Sequence, residues 1–333
     1  LDLACTLIEL ITPVRPEVHV VGIHSTNDPE ALIRTLRIGA HEFLHAPFER
    51  HEQEEALGRL RRLRSPEQPE LSEPELGKVI AFTSAKPGSG ASTLATQTAF
   101  ALKRHTNKRV LLVDCDLMGG TIGFYLKVNH QYSLLDAFDR AHQLNASIWG
   151  ALTIGVGGVD ILPAPETPCA SFPNVSALHD VLSYSRVMYD WIILDLPAMF
   201  SRFSLAAIPE SDSAYLVSTS ELPSLHLARK AVALLGQLGV ERNRFQVVIN
   251  RVNKRDNISS SDMEKIFNCP VHATFPNDYF SLHRVVTLGQ PLGPESDLGR
   301  AIDGLAGRMS GATVQEKRRG NGFFEQRTAL SQA

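Results

Sequence analysis

The apolar and polar positions of this chain fall into two regimes, separated by a stretch that has neither pattern. From residue 79 onward, short candidate strands, most of them continuous apolar runs, recur at 79–83, 109–113, 159–162, 191–195, 214–218, 245–249 and 271–274. Runs of four or five apolar residues without polar alternation are what strands buried on both faces of a parallel sheet require. Between them lie segments of helical spacing, near 92–104, 133–143, 175–187, 223–238, 261–267, 279–288 and 297–308. This alternation predicts a doubly wound, mostly parallel α/β sheet. Upstream, Val18–Ile23 and Glu42–Leu44 read as short strands, Asp28–Ile38 as a helix and Glu52–Leu63 as a basic amphipathic helix. Two βα units of this size make only a thin core. Residues 65–77 are rich in proline and glutamate, have no periodicity and read as an extended linker. The expected organisation is therefore a small piece over 1–64, a linker over 65–77, a large domain over 78–310 and a flexible tail over 311–333.

Composition narrows the picture modestly. A length of 333 residues and 43% hydrophobic content suit two domains with a sizeable core in one of them. The net charge is -3, which gives no sign of a polyanion-binding protein, so a nucleic-acid partner is not expected. Cys5, Cys115, Cys169 and Cys269 show no paired spacing and read as reduced thiols in a cytoplasmic protein. No apolar run approaches the roughly 20 residues of a membrane span. No charged region precedes an apolar segment at Leu1, so no secretory signal is expected, and the missing initiator methionine suggests a fragment or a miscalled start.

The chemistry concentrates at residues 86–93, Lys-Pro-Gly-Ser-Gly-Ala-Ser-Thr, between an apolar strand and a helix. Gly88 and Gly90 let the backbone turn so that successive N–H groups face inward, and the helix adds its positive end; this layout cradles phosphate. Ser92 stands where a hydroxyl would ligate Mg²⁺, and Thr93 where one would reach the α-phosphate. The usual loop lysine is absent, and Ala91 stands in its place, whereas Lys86 opens the loop. The alternative is an ordinary glycine-containing turn. Three more strand ends weigh against it. Val110–Asp116 ends in Asp114 and Asp116, and Asp116 is suited to orienting a water or the Mg²⁺ shell. Trp191–Pro197 carries Asp195, the usual place for a carboxylate that holds Mg²⁺. Val247–Arg251 ends with Asn250, suited to an adenine edge. Any one of these also reads as a solvated strand-end group.

Taken together, these motifs resemble the deviant Walker family of P-loop ATPases, the MinD/ParA group, over about residues 78–308. The resemblance implies ATP and Mg²⁺ as cofactors. It implies a homodimer through the nucleotide face, in which Lys86 crosses to the partner's phosphates. Asp114 and Asp116 match the family's switch I pair and Asp195 its Walker B aspartate. Pro276, Asn277 and Asp278, followed by Gly289-Gln-Pro-Leu292, resemble its base-side loop. The nucleotide-binding set implied is thus Lys86, Gly88, Ser89, Gly90, Ala91, Ser92, Thr93, Asn250, Arg251, Pro276, Asn277 and Asp278. The metal set is Ser92, Asp114 and Asp195, and the catalytic pair is Lys86 and Asp116. Pro87 departs from the family's glycine and stiffens the loop entry.

Ala91 and the stretch Ser220-Glu-Leu-Pro-Ser-Leu225, with Ala228-Arg229, are most similar to the CpaE/TadZ pilus-assembly branch. Gly39-Ala-His-Glu-Phe-Leu-His-Ala-Pro-Phe48 resembles the end of a receiver domain, with Ala46 replacing a lysine and Ser25 at the switch-hydroxyl position. An unrelated βα appendage is the alternative. The branch implies an assembly factor for a type IV (Flp/Tad) pilus or a related secretion system, partnered by that machinery and recruited through it to the inner membrane or pole. Without a lysine at 91, the transition state loses a donor of about 3 kcal/mol, so hydrolysis is expected to be slow. Three other readings stand beside this one: a ParA- or MinD-like partition or positioning ATPase, a non-hydrolysing nucleotide-binding scaffold, and a bacterial tyrosine kinase. The tail has Lys317-Arg-Arg319 and Phe323-Phe324 but no sustained apolar stripe and no tyrosine cluster.

Overall fold

The computed structural model describes residues 2–14, 18–26, 28–47, 76–169, 175–253 and 259–311, with the helical positions 52, 53, 56, 57 and 60. The chain divides into two compact units, Leu1–Pro74 and Glu75–Ala333. The expected linker, apart from Leu76 and Gly77, and the expected tail, apart from Gly311, lie outside the described residues, as do most of 52–63 and Phe48.

The first unit contains α1 (Asp2–Val14), β1 (Val21–His24), α2 (Pro29–Arg37) and β2 (Glu42–His45). The helix α1 has no counterpart in the reading of the sequence. β1 and β2 pair in parallel, with Val21 opposite Glu42 and His24 opposite His45. Asp28 caps α2, accepting from the Glu30 N–H at 3.0 Å, and Pro29 occupies the first helical position, where its missing N–H costs nothing. The buried apolar set is small, comprising Cys5, Ile8, Ala31, Ala40 and Ala56.

The second unit is a three-layer sandwich. Its eight strands are β3 (Lys78–Ser84), β4 (Val110–Asp114), β5 (Ile154–Val156), β6 (Val159–Leu162), β7 (Trp191–Asp195), β8 (Ser213–Thr219), β9 (Phe245–Val252) and β10 (Val271–Pro276). The sheet order is β10-β9-β8-β3-β7-β4-β6-β5, and every pairing is parallel except β5 with β6. The expected doubly wound, mostly parallel sheet is therefore the observed one. Its antiparallel edge, β5, is only three residues long and has too little pattern to be read from sequence.

Side-chain alternation explains the layers. Val79, Ala81, Leu111 and Val113 point to one face, and Ile80, Phe82, Val110 and Leu112 to the other. The first face is covered by α5 (Leu134–Asp139), α6 (Ala146–Leu152), α7 (Val175–Met188), α8 (Arg202–Glu210), α9 (Leu222–Gln237) and α10 (Ser260–Phe267). The second is covered by α3 (Ala91–Thr106), α4 (Ile122–Tyr125), α11 (Tyr279–Leu288) and α12 (Asp297–Met309). Because both faces are buried, the strands read as continuous apolar runs.

In the second unit three of the described helices were not foreseen, and one was drawn too long. Ser133 and Asp136 close a capping box on α5, which stops at Asp139 and gives way to a single 3₁₀ turn at Ala141–Gln143. Asn145 and Ser201 cap the unforeseen α6 and α8. α4 has four residues, too few for a periodic signal. No helix among the described residues is long and apolar enough to cross a membrane.

Candidate functional site

β3 lies between β7 and β8, and the chain winds outward from it in both directions, which opens a crevice at the carboxyl ends of the central strands. Residues 85–90 connect β3 to α3 in that crevice. Gly88 and Gly90 have φ of +82° and +96°, a conformation that a side chain would strain. At Gly88 a Cβ would meet nothing, whereas at Gly90 it would collide with the Asn250 amide. Gly90 is the N-cap of α3, and no side chain caps the helix there. A 16-residue helix thus presents its first amides and its positive end to the crevice, which favours an anion. Ala91 is the buried first residue of that helix, and Thr93 is half-buried in the same turn.

Hydrogen bonds from the start of α9 and the end of β9 hold the loop. The buried Ser89 hydroxyl donates to the Lys86 carbonyl at 2.7 Å and lies 3.4 Å from the Ser224 hydroxyl at the start of α9. Ser224 Oγ also accepts from the Thr219 N–H at 3.0 Å and sits 3.0 Å from Ser218 Oγ. The Asn250 amide donates to the Ser89 carbonyl at 2.9 Å, and its oxygen accepts from the Arg251 N–H at 2.9 Å. Asn250, expected at an adenine edge, thus donates to the loop through its amide nitrogen, while its oxygen is bonded within its own strand end. The side chain points under the loop because β9 ends beside it. Arg251 is exposed and held at φ +58° by the same bond.

The acidic residues gather at the ends of β4 and β7, where Asp114 and Asp195 are paired in register. Both are nearly fully buried, at 1% and 2% exposure. Asp114 accepts from the Asp116 and Ile122 N–H groups at 3.2 and 3.0 Å, yet burial pushes its carboxyl up to about 6. Burial, reinforced by the Asp114 charge, also pushes Asp195 well above the usual carboxylate range. The Ser92 hydroxyl favours the charged form of the Asp195 carboxylate, whose Oδ1 is buried with no partner. Asp116 is half-buried and turns one oxygen back on its own loop, accepting from the Met118 and Gly119 N–H groups at 3.2 and 3.0 Å.

The base-side residues sit one strand beyond β9. Pro276 ends β10, the Asn277 N–H donates to the Val252 carbonyl at 3.2 Å, and Asp278 caps α11 through Ser281 N–H at 3.1 Å. The Asp278 carboxylate, read as nucleotide-binding, is spent at least in part on that cap. The crevice also holds two groups to which the sequence gave no role. Glu221, between β8 and α9, binds Lys86 Nζ at 2.6 Å. Gly120 lets its backbone pass beside the Asp114 carboxylate. Glu221 and Ser224 lie within a quoted stretch, but only the packing of the 86–89 loop against 219–224 reveals what they touch.

The residues fit a magnesium ion. An orphaned buried carboxylate oxygen beside a serine hydroxyl, at the mouth of an uncapped helix, is an oxygen donor set awaiting a hard cation. Among the described residues no three His, Cys, Asp or Glu side chains cluster as a metal cage, so phosphate and water oxygens would complete such a shell.

Comparison with known proteins agrees with this geometry. The sequence profile of the AAA domain family matches residues 77–243, half of the chain. An uncharacterized ATP-binding protein of Methanocaldococcus jannaschii is 26% identical over 242 residues, covering 71% of this chain and 89% of the relative. Among solved structures, a ParA family ATPase from Chlorobium tepidum superposes with a TM-score of 0.64 at 26% identity, covering 69% of this chain and 98% of that one. The septum site-determining protein MinD of Pyrococcus horikoshii, complexed with Mg-ADP, superposes with a TM-score of 0.58 at 23% identity, covering 70% and 96%.

Proposed function

The chain belongs to the AAA domain family and has the MinD/ParA P-loop fold, and from that premise we propose that it is an ATP- and Mg²⁺-binding positioning or assembly factor that dimerises under nucleotide control and hydrolyses ATP slowly. The observation that carries the reading is the uncapped α3 terminus behind Gly88 and Gly90, facing the orphaned Asp195 oxygen and Ser92. Backbone amides of residues 88–93 bind the phosphates. Ser92, with Asp195 behind it, holds Mg²⁺, which neutralises phosphate charge. Asn250 acts indirectly, by keeping Ser89 and Gly90 in the conformation that presents those amides. Asp116 stands at the crevice edge to orient a water, and Arg251, Pro276 and Asn277 line the base side.

Ala91 is the reason for slow turnover. The fold supplies amides and a metal site but no cation from position 91, so the charge must come from Lys86. In the dimer that the MinD/ParA resemblance implies, Lys86 serves the partner's nucleotide. The protein then behaves as a timed dimer rather than a motor.

Within this reading the chain is assigned to the pilus-assembly branch, acting with type IV (Flp/Tad) pilus or related secretion proteins. Support comes from Ala91, from Glu221-Leu-Pro-Ser-Leu225 at the start of α9 and from the receiver-like end of the first unit, where β2 leads into Ala46-Pro47. Light scattering of the full chain with MgATP, MgADP and no nucleotide tests the switch. A dimer with MgATP and a monomer with MgADP is the expected result, and a mass independent of nucleotide refutes it.

A further inference from the structure

Lys86 forms an ion pair across the crevice. Its ammonium is 2.6 Å from the Glu221 carboxylate, with the two side chains 39% and 59% exposed. Glu221 occupies the N-cap of α9, where a short polar side chain would normally accept a helix amide, but its carboxylate caps nothing. It reaches instead across the crevice to the phosphate loop. Its neighbours are cationic: Lys86 first, and Arg251 more distantly, hold its carboxyl below the ordinary glutamate range. The same two segments are joined a second time, between Ser89 and Ser224. The loop that receives phosphate and the start of α9 are thus linked once by charge and once by hydroxyls.

We infer that Glu221 is a positioning residue that occupies Lys86 in place of a nucleotide phosphate, so that nucleotide must displace this carboxylate before Lys86 can serve it. The inference rests on the nucleotide-binding reading above and gives it a regulatory element. A carboxylate and a phosphate oxygen are interchangeable partners for an ammonium, and Lys86 cannot satisfy both at full strength. The pair is solvent-exposed, so the competition is modest and weakened by salt. When Lys86 leaves, α9 loses its charged tie to the loop and keeps only the Ser89–Ser224 contact. Loss of that tie reports the nucleotide state to a helix whose first residue, Leu222, is 72% exposed.

The test is a cycle of four full-length proteins: wild type, E221Q, K86A and the double variant, each titrated with MgATP by calorimetry. Glu221 and Lys86 are surface groups, so each variant should fold. E221Q should bind MgATP about two- to fivefold more tightly at low salt, with the gain shrinking as salt rises. The gain should vanish in the K86A background, because it acts through Lys86. Unchanged or weaker binding by E221Q overturns the inference, as does an equal gain with and without Lys86. A nucleotide-free readout separates this from the reading beneath it: trace acetylation followed by mass spectrometry should label Lys86 faster in E221Q than in wild type. Equal labelling refutes the pairing itself, whereas faster labelling with no MgATP binding by any of the four proteins refutes the nucleotide role and the inference with it.

Discussion

The side-chain amide of Asn250 donates to the main-chain carbonyl of Ser89 at 2.9 Å, tying the end of β9 to the phosphate loop. The bond is buried, and the amide fills the space that a Cβ on Gly90 would need. Asn250→Ala leaves a buried carbonyl without its partner, a cost of about 1–3 kcal/mol. Its MgATP affinity should fall and its urea midpoint should drop, with both measured on the same preparation.

Gly90→Ala asks more of the loop. It adds a Cβ at φ +96° and against the Asn250 amide. The strain, of order 1–3 kcal/mol, lies in the residue that opens α3. Nucleotide binding should weaken at least tenfold, while far-UV circular dichroism of the sheet and helices stays near that of wild type.

Asp195→Asn keeps the size of the side chain and removes its charge. If the orphaned Oδ1 faces the ion through Ser92, the Mg²⁺ dependence of ATP binding should flatten, so that affinities with Mg²⁺ and with EDTA converge. Titrations in the two buffers measure this directly. A neutral amide at this buried position also relieves repulsion with Asp114, so the metal-free variant should not be less stable than wild type at pH 8.

Ala91→Lys restores the missing cation. A donor at this point in the transition state contributes about 3 kcal/mol elsewhere, equivalent to about a hundredfold in rate. Single-turnover hydrolysis should accelerate by about ten- to a hundredfold, with a smaller gain in affinity. No acceleration would mean that the slow rate has another origin than residue 91.

His272 gives a pH signature. Burial, then the charge of Arg308, lowers its pKa below the usual value of 6.5, and its ring packs edge-on against Tyr215 at 5.7 Å. The folded state resists a proton that the unfolded chain accepts below 6.5, so this stability is present above 6.5 and is lost as pH falls through the lowered value. The ring is only partly buried, and solvent screening keeps the effect small. His272→Gln should therefore narrow the difference in urea midpoint between pH 7 and pH 5.

The sequence disclosed the strands best, because β3, β4, β7, β8 and β9 are buried on both faces and leave unbroken apolar runs. Glycines and strand-end aspartates were equally legible, since their chemistry is local. What stayed hidden depends on distant contacts. The bond from Asn250 to Ser89 is one of these, since the two residues are 161 positions apart. Glu221 looked like part of a branch motif because its partner, Lys86, is 135 residues away. The helices α4 and α6 were too short to establish a period, and β5 makes sense only as a hairpin partner of β6.

The central claim is that residues 86–93 bind a nucleotide without a lysine at position 91. Calorimetric titration of the full chain with ATP, with and without Mg²⁺, tests it most directly. The account predicts saturable, Mg²⁺-strengthened binding that Gly90→Ala weakens at least tenfold. Absence of binding at millimolar MgATP, or binding that Gly90→Ala leaves unchanged, would contradict it.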